Sequence, residues 1–82
     1  TRETRIRRLL YRSRSTGTKE LDQWLSRFAA ATLSKLGEEE LSEYEALLEL
    51  PAVELWDWLS GQTPAPRDGK VARLLAGFRL AP

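Results

Sequence analysis

The sequence predicts an all-α protein, a compact bundle of five short helices. Apolar residues recur at helical spacing along most of the chain, and no segment alternates apolar and polar residues at the period of a strand over a useful length. Glycines and prolines separate the helical segments. The 82 residues fit one domain, 1–82, and a chain this small buries only a small core. We therefore expect a stability margin of a few kcal/mol.

The first helix is amphipathic and basic. Its narrow apolar stripe follows the spacing i, i+3, i+4, i+7 and consists of Ile6, Leu9, Leu10 and Ser13. Arginines occupy a neighbouring face: Arg5, Arg8 and Arg12. The helix should end near Ser15, because Gly17 suits the left-handed conformation that commonly closes a helix. Thr18 is a candidate N-cap for the next helix.

The second helix has a wide apolar face over about five turns, which makes it the central element of the bundle. The face consists of Leu21, Trp24, Leu25, Phe28 and Thr32, with Ala29, Leu33 and Leu36 alongside. Gly37 can cap the third helix, whose first turn holds three glutamates that favour the positive end of the helix dipole. The apolar positions of that helix are Leu41, Tyr44, Leu47 and Leu48.

Pro51 limits the third helix, because proline disfavours helical geometry in the residue before it. A fourth, shorter helix covers 52–60 and should end at Gly61. The stretch 63–66 contains two prolines and reads as a stiff linker. Pro66 also suits the first turn of a last helix, whose apolar positions are Val71, Leu74, Leu75 and Phe78.

The composition argues against an enzyme. The chain has no cysteine and no histidine, which removes Ser-His and Cys-His nucleophile pairs and the usual zinc ligand sets. Glu20 and Asp22 are candidates for an acid and a base, but two residues apart on a helix they point in nearly opposite directions. Apolar runs are far shorter than the roughly 18–20 residues needed to cross a bilayer, so we expect no membrane insertion.

Charge is distributed unevenly along the chain. Residues 1–19 carry seven basic groups and one acidic group, a net +6, whereas residues 20–68 carry eleven acidic and three basic groups, a net −8. A split of this kind steers association with a charged partner. The basic first helix is therefore a candidate docking face.

The corner between the first two helices has two interpretations. In one, Gly17 simply ends a helix, and Glu20 and Asp22 stabilise the dipole of the next. In the other, Gly17 lets a partner backbone approach closely while Glu20 accepts a hydrogen bond or forms an ion pair with that partner, and Asp22 is a further candidate contact. Local physics permits both.

Nucleic-acid binding is a rival function for the basic helix. Its three arginines could straddle a phosphate backbone, with the Gly17 corner as part of a helix-turn-helix. The helix that would enter the groove, however, begins with Glu20 and Asp22. No nucleic-acid partner is expected.

Three tryptophans also bear on partner binding. Trp24 and Trp56 fall on apolar helix faces and are expected in the core. Trp58 lies near the end of a short helix, where an exposed edge would suit a partner interface.

Motifs along nearly the whole chain share the order and spacing of one family. They are Arg8-Leu9-Leu10-Tyr11 with Ser13, Gly17-x-x-Glu20-Leu21-Asp22, Phe28, Leu36 before an acidic helix start, Tyr44, Leu47-Leu48-Glu49, and Leu55-x-x-Trp58-Leu59. With these motifs the chain resembles the succinate dehydrogenase assembly factors, the SdhE or flavinator family. One position departs from that family, since Thr16 stands where its Arg-Gly-x-x-Glu turn has arginine.

The resemblance implies a five-helix chaperone whose partner is the flavoprotein subunit of succinate dehydrogenase or fumarate reductase. It implies that FAD becomes attached to the client by the client's own chemistry, and that this chain holds no cofactor or metal tightly. Gly17 and Glu20 would contact the client. Thr16 lacks the planar charged fork of arginine, and Arg14 or Lys19 would only partly replace it. The expected location is the bacterial cytoplasm, or the mitochondrial matrix if a transit peptide has been removed.

Overall fold

The computed structural model describes residues 1–66 and 68–78, and within them the chain forms five α-helices and no strand. These are α1 (Arg2–Ser13), α2 (Lys19–Thr32), α3 (Glu38–Leu48), α4 (Ala52–Leu59) and α5 (Lys70–Gly77), with a 3₁₀ turn at Leu33–Lys35 after α2. The all-α fold class is confirmed. Arg67 and residues 79–82, which the single-domain prediction also covers, lie outside the described residues.

The core is built from the apolar faces of all five helices. Its fully buried members are mainly leucines, together with Phe28 and Tyr44, whose ring centroids lie 5.7 Å apart. Phe78, just after α5, packs edge to face on Phe28 at 5.6 Å. Each large apolar side chain buried in this way contributes about 1.5–3 kcal/mol, so a few contacts decide the stability of so small a protein.

Two helix boundaries differ from the sequence prediction. The second helix ends at Thr32, because the next three residues tighten into the 3₁₀ turn. The last helix begins at Lys70, with Gly69 as its N-cap, and Pro66 is exposed in the preceding loop. The α5 start is stabilised from outside the helix, since the Glu43 carboxylate of α3 accepts a hydrogen bond from the Ala72 backbone N–H at 2.9 Å.

A buried polar pair joins α1 to α3. The Ser13 hydroxyl donates to the Leu9 carbonyl at 2.7 Å, and the Ser13 and Tyr44 hydroxyl oxygens lie 2.5 Å apart. Ser13 has one hydroxyl proton, which it donates to the Leu9 carbonyl. Tyr44 is therefore the donor in the hydrogen bond between the Ser13 and Tyr44 hydroxyls. Burial raises the pKa of Tyr44 to about 12, although the Ser13 hydrogen bond and the nearby Arg12 act in the opposite direction.

Ion pairs also tie α1 to α3. Arg5 lies 2.9 Å from Glu38 and 3.4 Å from Glu45, and Arg12 lies 2.6 Å from Glu49 and 3.9 Å from Glu45. The sequence analysis placed Arg5 and Arg12 on a candidate docking face, and the structure shows that both are engaged in ion pairs within the chain. The acidic α3 packs beside α1 and pairs with both guanidinium groups.

The tryptophans are placed differently from expectation. Trp58 is only 7% exposed and belongs to the core, so the predicted exposed edge is wrong. Trp24 and Trp56 are partly exposed, pack against the core, and meet edge to face with ring centroids 6.3 Å apart. The Trp24 indole N–H also donates to the Leu75 carbonyl at 3.2 Å.

Along the described part of the chain, no helix combines the length and the apolar character needed to cross a bilayer. Within residues 1–66 and 68–78, no three carboxylates are grouped closely enough to hold a metal ion.

Candidate functional site

The corner between α1 and α2 is an exposed turn closed by glycine. Gly17 has a φ of 94°, in the left-handed region that other residues rarely adopt, as predicted. It does not close α1, however, because that helix ends at Ser13 with Arg14 as its C-cap, and Gly17 lies in the turn beyond. A Cβ placed on Gly17 would meet no heavy atom within 4 Å. The glycine is therefore required by backbone conformation, and the space in front of it is open to a partner.

Asp22 fixes the shape of this corner from the first turns of α2. Its carboxylate accepts a hydrogen bond from the Thr16 backbone N–H at 2.8 Å and a second, short one from the Thr16 hydroxyl. The predicted N-cap, Thr18, occupies the cap position but makes no side-chain hydrogen bond there. Asp22 was a candidate partner-binding residue, and the structure places its carboxylate in an internal contact instead.

Glu20 is the carboxylate that this corner leaves available. Its side chain is exposed and makes no hydrogen bond or ion pair with any residue that the structure describes. It lies in the first turn of α2, three residues after Gly17. The corner thus presents an open glycine and an uncommitted acceptor side by side.

Basic side chains flank the corner. Arg8, Arg14 and Lys19 are exposed, and none has an ion-pair partner among residues 1–66 and 68–78. Arg12 is half-buried and engaged by α3. The corner therefore brings together Thr16, Gly17 and Glu20 with Arg14 and Lys19, whereas Trp58 does not belong to it.

The chemistry of this site suits recognition. Asp22 is tied to Thr16 while Glu20 lies in solvent, so the two carboxylates do not flank a common substrate position. What the corner offers a partner is backbone access, one carboxylate and several guanidinium or ammonium groups. Such groups give specificity and fast association with another protein surface.

Tyr11 was not identified from the sequence as a candidate site residue, yet it is 65% exposed beside the corner. A signal was available, because Tyr11 falls outside the apolar stripe formed by Ile6, Leu9, Leu10 and Ser13. An aromatic residue on the polar side of a helix is a feature that core packing does not explain.

The family model described as "Flavinator of succinate dehydrogenase" matches residues 7–80 of the chain. The chain is 42% identical over 65 residues to the mitochondrial succinate dehydrogenase assembly factor 2 of Mycosarcoma maydis, an alignment that covers 79% of this chain and 27% of the relative. It is 38% identical over 81 residues to the assembly factor 2 of Meyerozyma guilliermondii, covering 92% of this chain and 60% of the relative.

A bacterial relative is similar to the same degree. The chain is 41% identical over 64 residues to the FAD assembly factor SdhE of Acetobacter pasteurianus, covering 78% of this chain and 59% of the relative. The chain thus spans between about a quarter and three fifths of the length of these three relatives. No solved structure shows a significant match.

Proposed function

Because this chain belongs to the flavinator family of succinate dehydrogenase, we propose that it is an assembly factor that binds the flavoprotein subunit of that enzyme and promotes its covalent attachment of FAD. The names of mitochondrial and bacterial relatives support this role. The observation that carries the proposal is the exposed corner, where Gly17 is open to approach and Glu20 is free to accept a hydrogen bond.

The proposed mode of action is that of a chaperone. Binding holds the domains of the client in an orientation that favours its own linkage to the flavin. In this proposal the bond-forming groups belong to the client and FAD is the client's cofactor. The arrangement of Asp22, tied to Thr16, and Glu20, exposed to solvent, supports it, because the two carboxylates are not paired as an acid and a base. This chain orients the reacting groups of the client, and groups held in the correct orientation react far faster than groups that move freely.

Two finer points belong to the same proposal. The flavoprotein subunit of fumarate reductase is proposed as a second client, on the family resemblance alone. The proposed location is the bacterial cytoplasm or the mitochondrial matrix, since relatives of both kinds exist.

The amount of covalently bound flavin tests the function. In a strain that lacks this protein, in-gel flavin fluorescence of the flavoprotein subunit should fall strongly and return when the wild-type chain is supplied. The Glu20→Ala variant, expressed at the same level, should restore less fluorescence than wild type. Unchanged covalent flavin in the deletion strain would rule out the proposed function.

Nucleic-acid binding is the rival to exclude. Two of the three arginines that would face a phosphate backbone are engaged within the chain, because Arg5 pairs with Glu38 of α3 and Arg12 with Glu49, the C-cap of α3. A gel shift with duplex DNA at low and high salt tests what remains. We expect weak binding at most, whereas strong binding that falls steeply with salt would favour the rival.

A further inference from the structure

An open groove lies beside the corner, between the end of α1 and the junction of α3 and α4. It has a volume of about 270 Å³. Tyr11, Ser15 and Thr16 line one side, and Leu48, Leu50 and Ala52 line the other. Thr16 belongs both to the groove and to the corner, so the two surfaces are continuous.

The exposure of Tyr11 on this groove is not explained by core packing, since its side chain is 65% exposed. Together with the half-buried Leu48, Leu50 and Ala52 it forms an apolar patch that is partly open to water. Such a patch is typical of an interaction surface. Aromatic residues, tyrosine among them, are enriched at protein interfaces.

The size of the groove favours a side chain as its occupant. Sites for drug-sized ligands or cofactors typically enclose roughly 300–1,000 Å³, and this groove is smaller and open along one side. A single large apolar side chain, inserted from a partner, fits these dimensions better than a free small molecule.

The charge around the groove indicates what kind of partner surface would bind there. Arg7 and Arg8 lie beside Tyr11 on the outer face of α1, exposed and without ion-pair partners in the described part of the chain. Glu49, just after α3, is paired with Arg12 at 2.6 Å. The Tyr11 side of the groove therefore carries an excess of positive charge, which is complementary to an acidic surface.

We infer that this groove receives an apolar side chain from an acidic segment of the client, with Tyr11 as the principal contact. The inference rests on the proposed function, because the client is the flavoprotein subunit. It goes further by extending the contact surface from the Gly17 corner to the α1–α4 groove and by stating what the partner presents there.

The dissociation constant for the purified flavoprotein subunit tests the inference. We expect Tyr11→Ala to weaken binding by about tenfold or more, as truncation of an interface aromatic often does, without a change in melting temperature. The matched control is Leu74→Ala, which removes an exposed leucine of α5 away from the groove and should leave binding unchanged.

Two substitutions of opposite charge at Ser15 test the sign of the charge on the partner. Ser15 is exposed on the groove wall, so Ser15→Glu should weaken binding and Ser15→Lys should preserve or strengthen it. A photo-crosslinking amino acid at position 11 should then attach to an acidic client segment that contains a large apolar residue.

Three results would overturn the inference while the proposed function stands: wild type binds the client but Tyr11→Ala binds equally well, Ser15→Glu binds more tightly than Ser15→Lys, or position 11 crosslinks to a second copy of this chain. If wild type itself does not bind the flavoprotein subunit, the proposed function fails, and the inference fails with it.

Discussion

At the scale of single residues, the two carboxylates of the corner have different roles: one maintains the shape of the turn, and the other is available to a partner. Asp22 holds the turn through two hydrogen bonds to Thr16, and Glu20 remains in solvent. From the sequence, both carboxylates were candidates for partner contact, because both lie in the first turns of α2. Only the folded corner distinguishes them.

Replacement of Asp22 tests this division. We expect Asp22→Ala to lower the free energy of unfolding by about 1–3 kcal/mol, because a charged acceptor of two hydrogen bonds is lost. Asp22→Asn keeps one acceptor oxygen and should cost less, and Thr16→Val, which removes only the hydroxyl bond, should also cost less. Denaturant unfolding measures all three. If Asp22→Ala unfolds at the same denaturant concentration as wild type, Asp22 does not fix the corner.

Tyr44 makes stability depend on alkaline pH. Burial raises the pKa of Tyr44 from 10.0 to about 12, so the unfolded chain releases this proton at lower pH than the folded one. The stabilisation is complete below pH 10 and is lost as pH rises toward 12, by up to about 3 kcal/mol.

The matched variant is Tyr44→Phe, in which the Ser13 hydroxyl still donates to the Leu9 carbonyl. Between pH 10 and 12, the free energy of unfolding of wild type should fall more steeply than that of the variant. Parallel curves for the two proteins would show that the phenol is not protected by burial.

At the scale of helices, the start of α5 is set by a residue distant in sequence. The Glu43 carboxylate lies against Gly69 and accepts from the Ala72 N–H, and Lys70 lies 2.8 Å from Glu40. The Lys70 ammonium and the Gly37 N–H together lower the pKa of Glu40. These contacts explain why the helix begins at Lys70. They also explain why the prediction that Pro66 lies in the first turn of this helix is wrong.

A methyl group at position 69 tests the α5 start. The Cβ of Gly69→Ala would overlap the Glu43 carboxylate, which must then move and give up Ala72. We expect a loss of about 0.5–1.5 kcal/mol in the free energy of unfolding, the usual net contribution of one hydrogen bond.

Gly37→Ala is the control, since its Cβ would lie 3.7 Å from the nearest Glu40 atom, an ordinary contact. In a Glu43→Ala background, Gly69→Ala should cost much less, because the two changes remove the same interaction. Additive losses in the double variant would contradict the proposed cap.

At the scale of the whole molecule, helical periodicity predicted the number, order and approximate bounds of the helices because each helix buries one face. The contacts between helices could not be predicted in the same way. Arg5 and Glu38 are 33 residues apart, and their pairing depends on how α1 and α3 pack. The burial of Trp58 likewise depends on which side of the short α4 meets the core.

Charge also acts at this scale. Arg5 and Arg12 are paired with glutamates of α3 and its C-cap, whereas Arg7 and Arg8 on α1 and Arg14 and Lys19 at the corner stay exposed. We expect the association rate with the flavoprotein subunit to fall as salt rises from about 0.05 to 1 M, because the screening length shortens to about 3 Å. Stopped-flow measurement gives the rate, and a rate independent of salt would exclude electrostatic steering.

The central claim is that the exposed corner at Gly17 and Glu20 recognises the client. The most direct test compares wild type with Glu20→Ala in two measurements on the same preparations, the dissociation constant for the flavoprotein subunit and the melting temperature. The account predicts clearly weaker binding for Glu20→Ala at a nearly unchanged melting temperature. Equal affinity, or a weakened affinity that merely accompanies a large drop in melting temperature, would contradict it.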